Sequence, residues 1–376
     1  MKTAFITNLC THYRYKIFKM LGNKHDYDFY FFDSEGKTKE DIKHLNVIKE
    51  GKRFHYLSIK KILINIIKKK YDVIIKCTNN KWAFLGSFIA AKLIKARFIV
   101  WHTIWYYPKT IQYRLFSQLL LYILKKHTDA IVVYGKHGKN FLIKKGINPA
   151  KIFIAWQTVD NELFGRDIDD EEITFIRNKY EISESKKVIL YVGRFEKIKG
   201  IEYLLEALDM LDKREFVLLL IGDGSLSGQI RNYCEKNGID YRITGLMPHY
   251  ELPPYYKMAD VFVLPSITTK KLKETWGLVV NEAFNQRCPA VVTDAVGAGV
   301  GGLLIDGVNG FVIKEKDANA LADSLRKVIS DTQLRNKLSR NAREDIKKWT
   351  YERQAEGFLN AVKLSIEGTV KDPNDF

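Results

Sequence analysis

The stretch ETWGLVVNEAFNQRCPAVVTDA, Glu274–Ala295, places one carboxylate on each side of a turn led by glycine. From Leu278 the pattern is helical, and after Cys288-Pro289 the run Ala-Val-Val-Thr reads as a buried strand. A helix feeding a buried strand is the repeating unit of a parallel sheet covered by helices. Carboxylates accept hydrogen bonds from sugar hydroxyls, so Glu274 and Glu282 are compatible with a carbohydrate or nucleotide ligand. A surface glutamate beside a helix-face glutamate is the competing reading, and the rest of the chain has to decide between them.

Working outward, the same alternation runs along the chain. TAFIT, YDFYFF, DVIIKC, RFIVWH and AIVVYG read as buried strands, with helical segments such as WAFLGSFIAAKLIK and YRLFSQLLLYILKKH between them. KVILYVG, FVLLLIG, YRITG, VFVLPS and PAVVTDA repeat the pattern, with the helices IEYLLEALDML and ANALADSLRKVI among or after them. The acidic segment DNELFGRDIDDEEITFIRNKYEI reads as the passage between two sets, the second set of strands starting near Lys186. The expected organisation is two tandem doubly wound, Rossmann-like domains, 1–160 and 161–350, with residues 351–376 as a final helical segment. In such sheets ligands bind at the carboxyl ends of the strands.

A chain of 376 residues has room for two cores of this kind. Apolar residues make up 46% of it and aromatics 12%, a globular composition. No uncharged apolar run is long enough for a membrane span, and the opening MKTAFITNLCTHYRYK lacks the features of a signal peptide. Cys10, Cys77, Cys234 and Cys288 are too scattered for a zinc site or a disulfide framework, which points to a reduced cytoplasm. Charge is divided unevenly. Residues 1–160 carry 30 Lys and Arg against 10 Asp and Glu, a net of +20, while residues 161–376 come to −3. The first part therefore faces something anionic, such as nucleic acid, lipid headgroups or a phosphorylated substrate, or else is a solvated lysine-rich surface.

At the strand ends, Gly193 is followed by Arg194 and Lys199 before a helix. Cations at a helix start oppose its dipole, so they ask for an anion such as a diphosphate. Gly222-Asp223-Gly224, Gly245 after Ile243-Thr244, and Pro265-Ser266 end the next strands. In the first part His102 ends RFIVWH, where it could bond a substrate hydroxyl and respond to pH or be purely structural. The loop after the first strand carries Tyr13 and Arg14.

Arg194, Lys199, Gly222-Asp223-Gly224, Gly245, Pro265-Ser266 and the pair Glu274/Glu282, in this order, resemble the donor domain of the retaining glycosyltransferases of family 4, which have the GT-B architecture of two domains facing across a cleft. The block from Ile267 to Ile313 follows the family's signature, and KKWTYERQAEGFLNAVKL is similar to its final helix, which crosses back onto the first domain. Two segments depart from the pattern. Cys10-Thr11-His12-Tyr13-Arg14 replaces the usual Gly-Gly loop, and Gln157-Thr158-Val159-Asp160 replaces Asn-Gly-Val-Asp.

The resemblance implies transfer of a hexosyl group from a nucleoside diphosphate sugar, UDP-linked first and GDP-mannose second, with retention by same-face displacement. Glu274 would hold the donor sugar, Glu282 the ribose, and Arg194, Lys199 and a helix amino terminus the leaving diphosphate. Gly193, Gly222, Ile243, Thr244, Trp276, Gly277, Leu278 and Val279 complete the implied donor site. His102 would lie near the donor sugar, and Tyr13, Arg14 and His102 near the acceptor. No Asp-x-Asp pair suggests a metal, so no cofactor is expected beyond the nucleotide sugar. SIKKILINIIKKKYDV, residues 58–73, has Ile59, Ile62, Leu63, Ile66 and Ile67 at helical spacing with a lysine rim. Its apolar stripe is expected to pack on the sheet and its lysines to attract an anionic membrane. A lipid-linked or surface-glycan acceptor and a location on the inner face of the plasma membrane follow from that charge. The alternatives are a small soluble acceptor or a basic nucleic-acid-binding protein, a class whose recognition motifs the sequence does not contain.

Overall fold

A computed structural model describes residues 1–33, 48 and 53–368. The chain divides into two compact units, one of residues 1–158 with the segment from Tyr351 onward, the other Val159–Thr350. The last residues of the expected segment 351–376 lie outside the described residues.

The first unit is built on seven strands: β1 (Lys2–Thr7), β2 (Asp26–Phe31), β3 (Phe54–Tyr56), β4 (Val73–Cys77), β5 (Arg97–Trp101), β6 (Ala130–Val133) and β7 (Ile152–Ile154). Their order is β3-β2-β1-β4-β5-β6-β7, and all neighbours are parallel. The second unit has β8 (Lys187–Val192), β9 (Phe216–Ile221), β10 (Tyr241–Ile243), β11 (Val261–Leu264), β12 (Ala290–Thr293) and β13 (Gly310–Ile313) in the order β10-β9-β8-β11-β12-β13, also parallel throughout. Both are doubly wound sheets. Strands buried on both faces read as unbroken apolar runs, and β4, β6, β9, β11 and β12 are buried at every position.

The order of strands reverses between β1 and β4 in one sheet and between β8 and β11 in the other. At such a reversal the connections leave on opposite faces and open a crevice at the carboxyl edge. Three strands escaped the sequence reading as separate elements. β3 and β7 have three residues each, too few to show a period, and β13 lies inside the signature block. Among the described residues no helix is long and apolar enough to cross a membrane.

The helix Tyr351–Glu367 packs in the first unit, where Phe358 meets Phe5 and Trp101 at ring distances of 5.4 and 5.5 Å. Gly357 makes that approach possible. A β-carbon there would stand 2.3 Å from the carbonyl oxygen of Ile154 and 2.7 Å from Ala155. Replacing a helical glycine by alanine ordinarily gains up to about 1 kcal/mol, but forcing a methyl against backbone costs about 1–3 kcal/mol. The clash wins, so Gly357→Ala is expected to lower the melting temperature by several degrees, measured by circular dichroism. An unchanged or raised melting temperature would show that the helix can lift off β7 freely.

Candidate functional site

In the second unit Lys199 and Glu274 come from the two sides of the reversal, one following β8 and the other β11. Lys199 Nζ lies 2.5 Å from Glu274 Oε2, and Ser266 Oγ donates to the same oxygen at 3.3 Å. The two charged side chains are only 14% and 17% exposed. Their backbones are held just as closely. Gly200 is left-handed (φ +62°), and a β-carbon on it would fall 2.1 Å from the carbonyl oxygen of Pro265. Glu274 itself forms a parallel bridge with Val296 beyond β12. A shielded pair of this kind gives up hydration and regains it through Coulomb attraction and hydrogen bonds. It can be opened by a ligand that offers an anion to the lysine and hydroxyls to the carboxylate.

After Glu274 the chain turns at Gly277 (φ +92°), where a β-carbon would sit 2.8 Å from Leu264 and 2.9 Å from Val296. The helix Leu278–Asn285 starts there. Its first amides, those of Leu278 and Val279, fall outside the helical ladder and form a positive end suited to an anion. Trp276 is placed differently from the sequence expectation. It is buried, its indole N–H donates to Asn281 Oδ1 at 2.8 Å, and its ring packs 5.3 Å from that of Trp349. Its side chain belongs to the core.

Glu282 lies one helix turn further in. It is buried and accepts a hydrogen bond from Tyr256 Oη at 2.7 Å, and burial pushes its carboxyl up from 4.5 to about 7. The sequence reading missed Tyr256, which enters from a separate helix, Pro253–Met258, and carries no motif signal.

Arg194 is largely exposed and pairs with Glu196 at 2.6 Å. Beneath it the buried Tyr191 donates from Oη to the Arg194 carbonyl at 2.9 Å; burial, reinforced by the charge of Glu274, keeps that phenol protonated. Gly193 and Gly222 have a reason of their own for being glycine. A β-carbon on Gly222 would fall 1.9 Å from the Gly193 carbonyl oxygen, and Gly222 bridges Gly245. Ile243 ends β10, two strands from β8, and Thr244 follows it, with the Thr244 amide bonded to Leu220 and its hydroxyl to the Gly245 carbonyl.

In the first unit His102 follows β5 and is only 1% exposed. Tyr107 Oη lies 3.4 Å from its Nε2, and the rings of Phe141 and Tyr107 flank it. Burial lowers its titration to about 4. This corrects the expected response to pH, because the imidazole stays neutral through the physiological range. Arg14 is partly buried, not in the open. Its guanidinium lies 4.9 Å over the Trp101 ring and 5.6 Å over that of Tyr13, and it donates to Tyr134 Oη, Asn8 Oδ1 and the Leu9 carbonyl at 3.4 Å each. A residue not singled out from sequence completes this polar group. Lys76, fully buried in β4, donates to the Cys77 carbonyl and to Asn79, which in turn donates to Asn8 and Thr7. The links join the ends of β1 and β4, the strands flanking the reversal.

The Glu282 environment has a consequence for stability. With a folded-state pKa near 7 against 4.5, the unfolded chain releases this proton first as pH rises. The native state is therefore unpenalised below about pH 4.5 and loses stability up to about pH 7, by on the order of 3 kcal/mol. Glu282→Gln should melt higher than the wild-type protein at pH 8, and the gap should narrow toward pH 5. An equal difference at the two pH values would assign the effect to packing and not to ionisation.

Residues 172–345 match the sequence profile of the family described as glycosyl transferases group 1. A glycosyltransferase of Methanocaldococcus jannaschii, MJ1178, is 31% identical over 247 residues, 61% of this chain and 68% of its own. The UDP-Gal:alpha-D-GlcNAc-diphosphoundecaprenol alpha-1,3-galactosyltransferase of Escherichia coli is 27% identical over 81% of this chain and 76% of its own. The chain spans about half the length of three other curated relatives it matches. Among solved structures, Anabaena HepE in complex with UDP has the same fold, with a TM-score of 0.77 at 15% identity over 96% of this chain and all of that one. The two parallel-sheet units, the Lys199–Glu274 pair at the strand reversal and these similarities agree: the chain belongs to the group 1 glycosyltransferases, with the GT-B fold.

Proposed function

We propose that the protein transfers a glycosyl group, with retention, from a nucleoside diphosphate sugar to a lipid-linked or surface-glycan acceptor. The observation that carries this reading is the Lys199–Glu274 contact of 2.5 Å beside the amino terminus of the helix Leu278–Asn285. A nucleotide sugar has the two chemistries that such a pair can divide. Its diphosphate is drawn to Lys199, Arg194 and the amides of Leu278 and Val279, and its sugar hydroxyls donate to Glu274. As the bond to the departing diphosphate breaks, negative charge grows on that leaving group. Fixed cations and amides there lower the barrier more than they tighten substrate binding. Neutral His102, enclosed by Tyr107 and Phe141, serves as a hydrogen-bonding and orienting group. Glu282 faces the ribose in this reading. The acceptor lies near Tyr13 and Arg14, whose enclosed guanidinium favours an anion such as a lipid diphosphate.

A uridine nucleotide is the first choice of donor, supported by the UDP complexed to Anabaena HepE and the UDP-galactose used by the Escherichia coli relative. GDP-mannose is the second. Charge neutralisation by Lys199 and Arg194 makes a divalent cation unnecessary, and the protein works at the inner face of the plasma membrane.

Glu274→Gln should cut release of UDP from a panel of UDP-sugars at least tenfold while leaving thermal stabilisation by UDP in place. Lys199→Met should lower both, with a loss on the order of 10²-fold in rate. EDTA should leave the wild-type rate unchanged. Wild-type turnover by Glu274→Gln would remove the carboxylate from the mechanism, and a requirement for Mn²⁺ or Mg²⁺ would replace the cation-only account.

A further inference from the structure

The strongest surface feature outside the strand ends lies on two neighbouring helices of the first unit, Lys81–Leu93 and Ile111–Lys126. Along the first, Trp82, Ile89 and Leu93 are 78%, 57% and 69% exposed; along the second, Ile111 and Leu115 are 83% and 66% exposed. Leu119 and Tyr122 continue that second row. At about 100° per residue each set falls within a single outward stripe, opposite the residues that pack on the sheet. Both helices connect strands that step in the same direction, β4 to β5 and β5 to β6, so right-handed crossovers put them side by side on one face. Phe84 and Phe116 touch between them at a ring distance of 6.3 Å. Single exposed apolar side chains are ordinary, but adjacent stripes of them mark an interaction surface.

Charge identifies the occupant. From Val73 to Thr128 the sequence contains nine Lys and Arg and no Asp or Glu. Arg114, Lys125, Lys126 and Lys92 are exposed on the same two helices. Toward the end of the stripes Lys92, Arg97, Lys126 and Lys151 line a cleft of about 530 Å³ whose only carboxylates among the described residues are Asp129 and Glu367. An apolar stripe interleaved with cations, carrying an indole and a phenol, matches the boundary between acyl chains and anionic headgroups. A second copy of the chain would bring like charge to like charge. We infer that these two helices form a docking face for an anionic lipid bilayer. The inference rests on the peripheral-membrane reading proposed above and moves the contact from the lysine-rich helix Ile59–Lys69 to these two helices. In that lysine-rich helix Ile62 and Ile66 are buried, as its apolar spacing led us to expect, but Ile67 of the same expected stripe is 44% exposed. Trp82 and Ile111 begin their helices at the carboxyl edge of the sheet, so a bilayer along this face brings lipid-borne groups to the edge where Arg14 and His102 lie.

The test compares wild type with Leu93→Glu/Leu115→Glu by sedimentation with phosphatidylglycerol or phosphatidylcholine vesicles at low and high salt. Wild type should pellet with phosphatidylglycerol at low salt, and the double variant should be recovered in the pellet at least tenfold less, with an unchanged melting temperature. Amide hydrogen exchange of the wild-type protein should slow on both helices when phosphatidylglycerol vesicles are added, a readout independent of whether the variant folds. A double variant that pellets like wild type, or exchange that slows elsewhere, overturns this face while leaving the membrane reading intact. Wild type that stays in the supernatant with both lipids overturns the membrane reading itself. A wild-type dimer dissolved by the double variant would give the face to a second copy and also overturn the proposal.

Discussion

The second unit depends on how closely its backbone segments approach one another at the carboxyl edge of the sheet. A β-carbon on Gly297 would lie 2.2 Å from the Thr275 carbonyl oxygen, and one on Gly277 would strike Leu264 and Val296. The segment carrying Glu274 is thereby pressed against β11 and β12. The Ala298 amide adds a 2.7 Å bond to the Trp276 carbonyl. Gly200 and Gly222 do the same on the β8 side, against Pro265 and Gly193. Backbones packed this tightly cannot drift by an ångström, and that rigidity lets a lysine and a glutamate 75 residues apart meet at 2.5 Å. Positioning a charged group ahead of time is what makes it effective against developing charge.

Such precision carries a cost in stability that the structure makes visible. Glu282 is enclosed and accepts a hydrogen bond from the Tyr256 phenol, and its ionisation is disfavoured by burial. Lys76 is enclosed among carbonyls and an asparagine, and burial lowers its titration to about 8. A core optimised for stability alone would place apolar groups at both positions. Both residues instead sit near a strand reversal, where doubly wound sheets bind ligands. The first unit has the same logic in a softer form: the polar links from Lys76 through Asn79 and Asn8 to Arg14 join β4 to β1 by side chains instead of by backbone contact.

Most of the fold was legible because parallel strands buried on both faces advertise themselves as apolar runs. The glycine and charge pattern at their ends likewise announced Lys199 and Glu274. What could not be read depends on contacts between distant segments. Trp276 looked like a ligand contact because it stands between two motif residues, and only Asn281 and Trp349 reveal it as core. The burial of Glu282 comes from Tyr256, 26 residues away on another helix. His102 was found at its strand end, but its neutrality comes from enclosure by Tyr107 and Phe141. Lys76 passed as one residue in an apolar strand, since nothing local distinguishes a buried lysine from one that reaches the surface.

The charge asymmetry shows the same limit from the opposite direction. Counted over 160 residues, an excess of +20 says only that an anion is near. The sheet topology changes the meaning of that number, because it sorts the cations by face. Lys76 and Arg14 turn inward at the carboxyl edge, where they donate to carbonyls, asparagine side chains and a phenol, and Arg14 lies over aromatic rings. Lys69 is spent on Asp28, and Arg97 on Asp129. Those left along the helices Lys81–Leu93 and Ile111–Lys126 share their surface with exposed apolar side chains and with no acidic residue of either helix. A solvated basic surface needs no such partners, since water hydrates lysine best without an apolar neighbour. The coincidence of both on one face is therefore the feature that solvation alone leaves unexplained and that a headgroup-and-acyl boundary accounts for.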